Sequence, residues 1–129
     1  MKFKEFIENF EESTIRINTS RGNETYSVRN LANYAQKSVG AKSVSIKWLK
    51  ANVNGSGKNA LNYPPSEGED HIRSGNADLS FPIIVVIEPR ETWIGDGNHR
   101  IYKAIHIAKQ THIPAYMIDA STLPPPDDI

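Results

Sequence analysis

The stretch FPIIVVIEPRETWIGDGNHRIYKAIHIAK, residues 81–109, decides how this chain is read. Its first part, Phe81 to Ile87, carries a β-branched run of the kind that fills a strand covered on both faces. Pro82 has no N–H to offer a neighbouring strand, so it fits only near the start. Glu88-Pro89-Arg90-Glu91 turns the chain back into Thr92-Trp93-Ile94-Gly95, which predicts a hairpin over 81–95. The apolar period then lengthens. Ile101, Ala104, Ile105 and Ala108 recur at helical spacing, so a helix starts near Gly97-Asn98 and runs to about Lys109 with those residues facing inward. Strand, glycine-bearing turn and helix in that order predict an α/β arrangement.

On the C-terminal side, Ile113, Ala115 and Met117 alternate with Pro114, Tyr116 and Ile118, a last strand with two distinct faces. Ala120 to Ile129 contains Pro124-Pro125-Pro126 and Asp127-Asp128 and reads as an extended, mobile tail. On the N-terminal side, Ala51 to Glu69 is rich in Asn, Gly, Ser and Pro and reads as loop. A loop of that length goes with function or with disorder, and a short helix over 67–74 overlaps its end. Val44, Ile46 and Trp48 alternate with Ser45 and Lys47, which predicts a second strand. Ser27 is the expected N-cap of a helix through about Lys37, with Val28, Leu31, Ala32 and Ala35 on one face and Gly40 as its stop. Thr14 to Thr19 alternates as a strand ending at the turn around Arg21-Gly22-Asn23. Phe3, Phe6, Ile7 and Phe10 predict a short amphipathic helix over 2–12. The expected fold class is α/β (α+β), a small mixed sheet with packed helices over 41–119. A helix-strand-helix extension over 1–40 precedes it, and a Pro-rich acidic tail over 120–129 follows.

The chain has 129 residues, 38% hydrophobic and 23% charged, which suits one folded domain with a modest appendage. The longest apolar run, Ile83 to Ile87, falls far short of the about 18 residues a membrane helix needs. Met1-Lys2-Phe3-Lys4-Glu5-Phe6 carries charges where a signal peptide has its apolar centre. Zero cysteines exclude disulfides, thiol catalysis and thiolate-bound zinc, and the expected location is the cytoplasm. Residues 1–58 hold ten Lys/Arg against five Asp/Glu, and residues 59–129 hold the reverse. A basic half can dock on nucleic acid or on an acidic protein partner. Because its cations are scattered, the plainer reading is a solvated surface whose two halves complement each other.

The chemistry concentrates in Gly95-Asp96-Gly97-Asn98-His99-Arg100. The first N–H groups of a helix have no partner inside it, and the helix dipole adds partial positive charge there. Gly95 and Gly97 permit a tight turn and close approach of a ligand to the backbone. Arg100 adds a forked cation suited to phosphate oxygens, and His99 is a donor, acid or base near neutral pH. Each residue also has a structural reading. Asp96 serves as an N-cap, His99 as a hydrogen-bonded structural histidine, and Arg100 as a solvated charge. Asp70, His71, Asp96 and His99 together would make an oxygen/nitrogen metal site, although their spacing fits no defined ligand pattern. His106 and His112 read as structural or solvent-facing. Trp48 and Trp93 read as core packing, with base stacking as the alternative.

The strand at Pro82–Val86, the hairpin, Asp96-Gly97-Asn98-His99-Arg100, its helix and Ile113-Pro114-Ala115-Tyr116 resemble the core of the ParB/sulfiredoxin superfamily. Trp48 with its following loop, and His71-Ile72-Arg73-Ser74-Gly75, resemble the family's earlier strand and helix. The likeness covers somewhat over half of the chain and rests on one motif. It implies that Gly97 and Arg100 stand where the family's Gly-x-x-Arg binds phosphate. It implies a ligand site of Asp96, Gly97, Asn98, His99, Arg100 and Arg73 for CTP, ATP or ADP, with Mg as a further cofactor. The family includes CTP-binding partition proteins, sulfiredoxins, free serine kinases and domains labelled nucleases. Asn98 stands where sulfiredoxins have their cysteine, so sulfinic acid reduction is excluded. Partition proteins continue into a helix-turn-helix domain and a dimerisation segment, which the sequence, ending just after its last core strand, is expected to lack. Serine kinases share Asp-Gly-x-His-Arg but use an upstream acid, for which Glu67, Glu69 and Asp70 are candidates by position alone. A solvated acidic loop is the plainer account of those three. The resemblance thus implies nucleotide or phosphate binding, with NTP hydrolysis or phosphoryl transfer through His99, Glu67 or Glu69 as the chemistry. The alternatives are a non-catalytic nucleic-acid- or protein-binding module of a mobile element, acting through the basic half, and a metal-dependent nuclease.

Overall fold

Isoleucine and valine in unbroken succession require apolar cover on both sides of a strand, and the chain provides it. In the computed structural model, which describes residues 13–65 and 74–129, the run forms β4 (Ile83–Ile87). Ile83 and Val85 point into one apolar cluster, and Ile84 and Val86 into another on the opposite face. The other strands are β1 (Thr14–Thr19), β2 (Gly22–Ser27), β3 (Lys42–Ser45), β5 (Thr92–Asp96) and β6 (His112–Asp119). A four-stranded sheet runs in the order β3-β6-β4-β5. Within it β4 is parallel to β6 and antiparallel to β5, while β3 is antiparallel to β6. The predicted mixed α/β class is what the chain adopts.

One face of the sheet is covered by three short helices, α2 (Ile46–Asn52), α3 (Lys58–Asn62) and α4 (Asn98–Tyr102). Ile46, Leu49, Leu61 and Ile101 from these helices, with Ala104 just beyond α4, pack on Ile83, Val85, Ile113 and Ala115. The other face is covered by the β1–β2 hairpin and by α1 (Val28–Ser38). Ile17, Tyr26, Leu31 and Ala35 there meet Ile84, Val86 and Ile118. Burying a side chain of this size contributes about 1.5–3 kcal/mol, so residues of the expected N-terminal extension share the sheet's core. Ser27 caps α1 by accepting from Asn30 N, and Gly40 closes it with its amide on Ala35 O at 2.8 Å, as the sequence predicts.

Several expectations are overturned. The alternation Val44, Ile46, Trp48 does not continue as a strand. β3 stops at Ser45, whose hydroxyl accepts from Trp48 N, and α2 begins. Ile46, Leu49 and Val53 form a helical stripe that buries all three, which outweighs the shorter period-two pattern. The loop over 51–69 contains α3. The turn around Gly22 leads into β2 where no strand was expected. The helix after Gly97 changes at Lys103 into a π-turn (Lys103–Ile107), which adds a residue to the turn and leaves Ala108 exposed instead of inward.

The segment 120–129 is also not a free tail. Ala120 and Leu123 are buried, Tyr26 Oη donates to Pro124 O at 2.6 Å, and Arg21 Nη2 donates to Leu123 O at 2.8 Å. Its proline and aspartate content misled because two apolar side chains are enough to fasten it. The helix expected over 2–12 lies outside the described residues, as does that over 67–74 except for Ser74, which is helical. Among the described residues no helix is long and apolar enough to cross a membrane.

Candidate functional site

β5 ends in an irregular register. Ile84 pairs with Asp96 while Val85 pairs with Ile94, so Gly95 is an extra residue, a bulge at the strand's end. Gly97 follows at φ +113°, a left-handed conformation, and starts α4 with no side-chain cap. A methyl group at this position would stand 2.5 Å from Ile83 Cγ2, so glycine is required by space as well as by φ. Asp96 is not the N-cap. The first bond within the helix is Ile101 N to Gly97 O at 3.0 Å, which leaves the amides of Asn98, His99 and Arg100 without an intrahelical acceptor.

This turn opens onto a cleft of about 760 Å³. Asp96, Gly97, Asn98, His99 and Arg100 form its floor, Phe81 and Trp93 stand among its apolar walls, and Asp78 supplies a second carboxylate. A smaller cleft of about 470 Å³ adjoins it and shares Ser56, Asn98 and His99, with Lys58 on its far side. The Asn54–Ser56 segment is held against the outer edge of β5 by Asn54 N to Thr92 O at 3.0 Å and Ile94 N to Ser56 O at 2.7 Å. Gly57 then starts α3 at φ +97°, where a Cβ would run into the Ile94 side chain and lie 3.5 Å from Asn98 Oδ1. The two glycine turns therefore line adjoining clefts, Gly97 the larger and Gly57 the smaller.

Arg100 is more committed than its sequence position suggests. Nη2 donates to Asp96 Oδ2 at 2.8 Å, and Nη1 donates to Pro82 O at 3.1 Å and Phe81 O at 3.4 Å. Its side chain is 17% exposed and that of Asp96 46%. A half-exposed ion pair contributes about 0–1 kcal/mol, so an incoming anion can compete with Asp96 for the guanidinium. His99 Nδ1 lies 3.3 Å from the buried Ser74 Oγ. That contact fixes the ring and leaves Nε2 as the nitrogen available for other chemistry. Lys103 Nζ donates to Ala77 O at 2.8 Å. α4 and the start of the π-turn thus hold the 74–82 wall through His99, Arg100 and Lys103. The Asp78 carboxyl is held below the usual carboxylate range, first by the Ser80 hydroxyl and then by the Ser80 amide, with Lys103 and Arg100 adding a smaller pull.

Of the predicted site, residues 96–100 come together at one cleft. Arg73, Glu67, Glu69, Asp70 and His71 lie outside the described residues. Among the described residues no group of three or more His, Cys, Asp or Glu could hold a metal ion, so the four-residue metal set has only Asp96 and His99 in view. His106 Nε2 donates to Ala60 O at 3.1 Å and ties the π-turn after α4 to α3, and the exposed His112 bonds Thr111. Trp93 lines the cleft, whereas Trp48 is 39% exposed on α2 and lines neither cleft. The sequence reading missed Ser56, Lys58, Asp78 and Phe81. The Gly55-Ser56-Gly57-Lys58 run was the available signal for the first two, hidden inside what read as loop. Comparison of the chain with protein-family models, with curated proteins and with solved structures finds no match in any of the three.

Proposed function

We propose that the cleft over Asp96–Arg100 binds the phosphate of a nucleotide or other phosphoester. The observation that carries this reading is the uncapped left-handed turn at Gly97, where three amides with no intrahelical acceptor, unpaired among the described residues, stand beside a guanidinium at the floor of a cleft of about 760 Å³. The order strand, Gly97 turn, Arg100, helix is also what the ParB/sulfiredoxin resemblance implies. In this reading the amides of Asn98 to Arg100 receive the anion and Arg100 turns from Asp96 towards it. His99, oriented through Nδ1, takes or gives a proton if phosphoryl transfer or hydrolysis occurs. Asp78 and Asp96 are the carboxylate oxygens suited to a magnesium ion, which takes one or two carboxylates from a protein and completes its shell with water and phosphate. Magnesium, when bound, would supply charge neutralisation at the phosphate.

A second reading, a non-catalytic module for nucleic acid, draws on the exposed Lys47, Trp48 and Lys50 side by side on α2. Calorimetry with CTP, ATP and ADP, with and without magnesium, separates the two. Binding that Arg100→Ala weakens by about ten- to a hundredfold supports the phosphate site, since charge-assisted hydrogen bonds contribute about 1.5–3 kcal/mol. Absence of binding by all three, with a DNA or RNA gel shift that fades steeply with salt, favours the module.

A further inference from the structure

We propose that residues 1–12 of this chain dock their stripe of Phe3, Phe6, Ile7 and Phe10 into a groove beside α1, so that the N-terminal segment completes the second apolar cluster. The groove, of about 560 Å³, lies between α1 and the start of β4. Val28 and Ala32 line it from the helix and Phe81 and Pro82 from the other side, and Tyr116 and the buried Ile84 complete the apolar lining. Val28, Ala32 and Tyr116 pack on the cluster of Ile17, Leu31 and Ile84 and yet remain only partly buried. Phe81 is 60% exposed. Single exposed apolar side chains are ordinary, but these share one concave surface, and such a patch calls for a cover.

The chain itself supplies that cover. Residues 1–12 lie outside the described residues, and the first one described, Ser13, accepts at its carbonyl from Val28 N at 3.0 Å. The segment therefore joins the fold where the groove begins. From Val28 to Gln36 the groove-lining face of α1 rises about 12 Å, and residues 3–10 in helical form rise about 11 Å. Charge agrees with length. Residues 1–12 hold four Glu and two Lys, whereas the first turn of α1 has no acidic residue and carries Arg29. Glu11 and Glu12, next to the Ser13 anchor, bring negative charge to that helix end, where the dipole favours it. Tethering selects this occupant over others. A segment joined through a short link meets the groove at an effective concentration on the order of millimolar, which a dilute second copy does not reach. Phe81, Asp96 and Arg100 line both this groove and the cleft over Gly97, so the docked segment braces the wall between the two.

The lack of any cysteine makes the test direct. Ile7→Cys paired with Ala32→Cys should close an intramolecular disulfide under mild oxidation at least about tenfold faster than Ile7→Cys paired with Lys50→Cys, an exposed site on α2 across the sheet. Where the Ala32 variant misfolds, Asn33→Cys, exposed and lining the same groove, replaces it. A second measurement uses Ala32→Cys alone in the full chain. Its thiol should react with an aromatic disulfide reagent about fivefold faster once Phe6→Asp puts a charge into the apolar stripe. Equal closure rates for the two pairs overturn the proposal. So does a disulfide that joins two chains, which would make the groove an interface between copies. A labelling rate that Phe6→Asp leaves unchanged overturns it as well, since the stripe is then not what covers α1.

Discussion

Gly57 and Gly97 are the same local device used twice. Each is a left-handed glycine that opens a helix without a side-chain cap, and each lies against a buried isoleucine, Ile94 or Ile83. Their surroundings differ. The turn at Gly97 ends a sheet strand, carries Asp96 and Arg100 as a pair, and feeds a helix that continues through a π-turn to Ile107. The turn at Gly57 follows a segment laid along the sheet edge and opens five residues of helix. Lys58 beside it has no side-chain partner among the described residues. Backbone geometry alone does not make a site. What distinguishes the Gly97 turn is the cation held at it by Asp96 and the larger cleft above it.

The largest effect expected is on stability and should be alike at both turns. Gly97→Ala and Gly57→Ala each force a left-handed alanine and a clash with a branched, buried side chain, at a combined cost of about 3 kcal/mol. Denaturant midpoints measure it, and a cost under about 1 kcal/mol at either position would mean that the isoleucine yields. Next in size, Asp96→Asn removes the anion's competitor for Arg100. Without magnesium it should tighten nucleotide binding about fivefold, the equivalent of an exposed pair of about 1 kcal/mol. Weaker binding would show that the carboxylate aims the guanidinium instead of occupying it. The smallest effect separates the turns. Lys58→Ala should change the affinity for a nucleoside monophosphate by less than about twofold, within the range of a screened surface charge. A tenfold loss would show that a single ligand spans both turns.

The difference between the turns also explains what was legible in the sequence. Gly97 was readable because a β-branched run precedes it and Ile101, Ala104 and Ile105 follow at helical spacing. α3 offers only Ala60 and Leu61 to the core, too few for a period to show, and a helix that short is held by tertiary packing alone. The β3–α2 junction was misread because Ile46 belongs to both patterns. Only Leu49 and Val53, further along, settle which one is buried. The commitment of Arg100 to Asp96, Phe81 and Pro82 was invisible, since it depends on where a distant chain segment lays its carbonyls.

β6 lies between β3 and β4, and so joins parts of the sheet that come earlier in the chain. Until residues 112–119 arrive, the β4–β5 hairpin and β3 have no common neighbour, and neither apolar cluster can close. On the ribosome, therefore, the glycine turn and its arginine would emerge well before anything could hold them in place. Assembly must wait for a long-range parallel pairing, a slow kind of step whose entropic cost falls before its contacts form. A chain interrupted between Ile87 and His112 would expose the Ile83–Ile87 run, the segment with most to gain from pairing with another molecule.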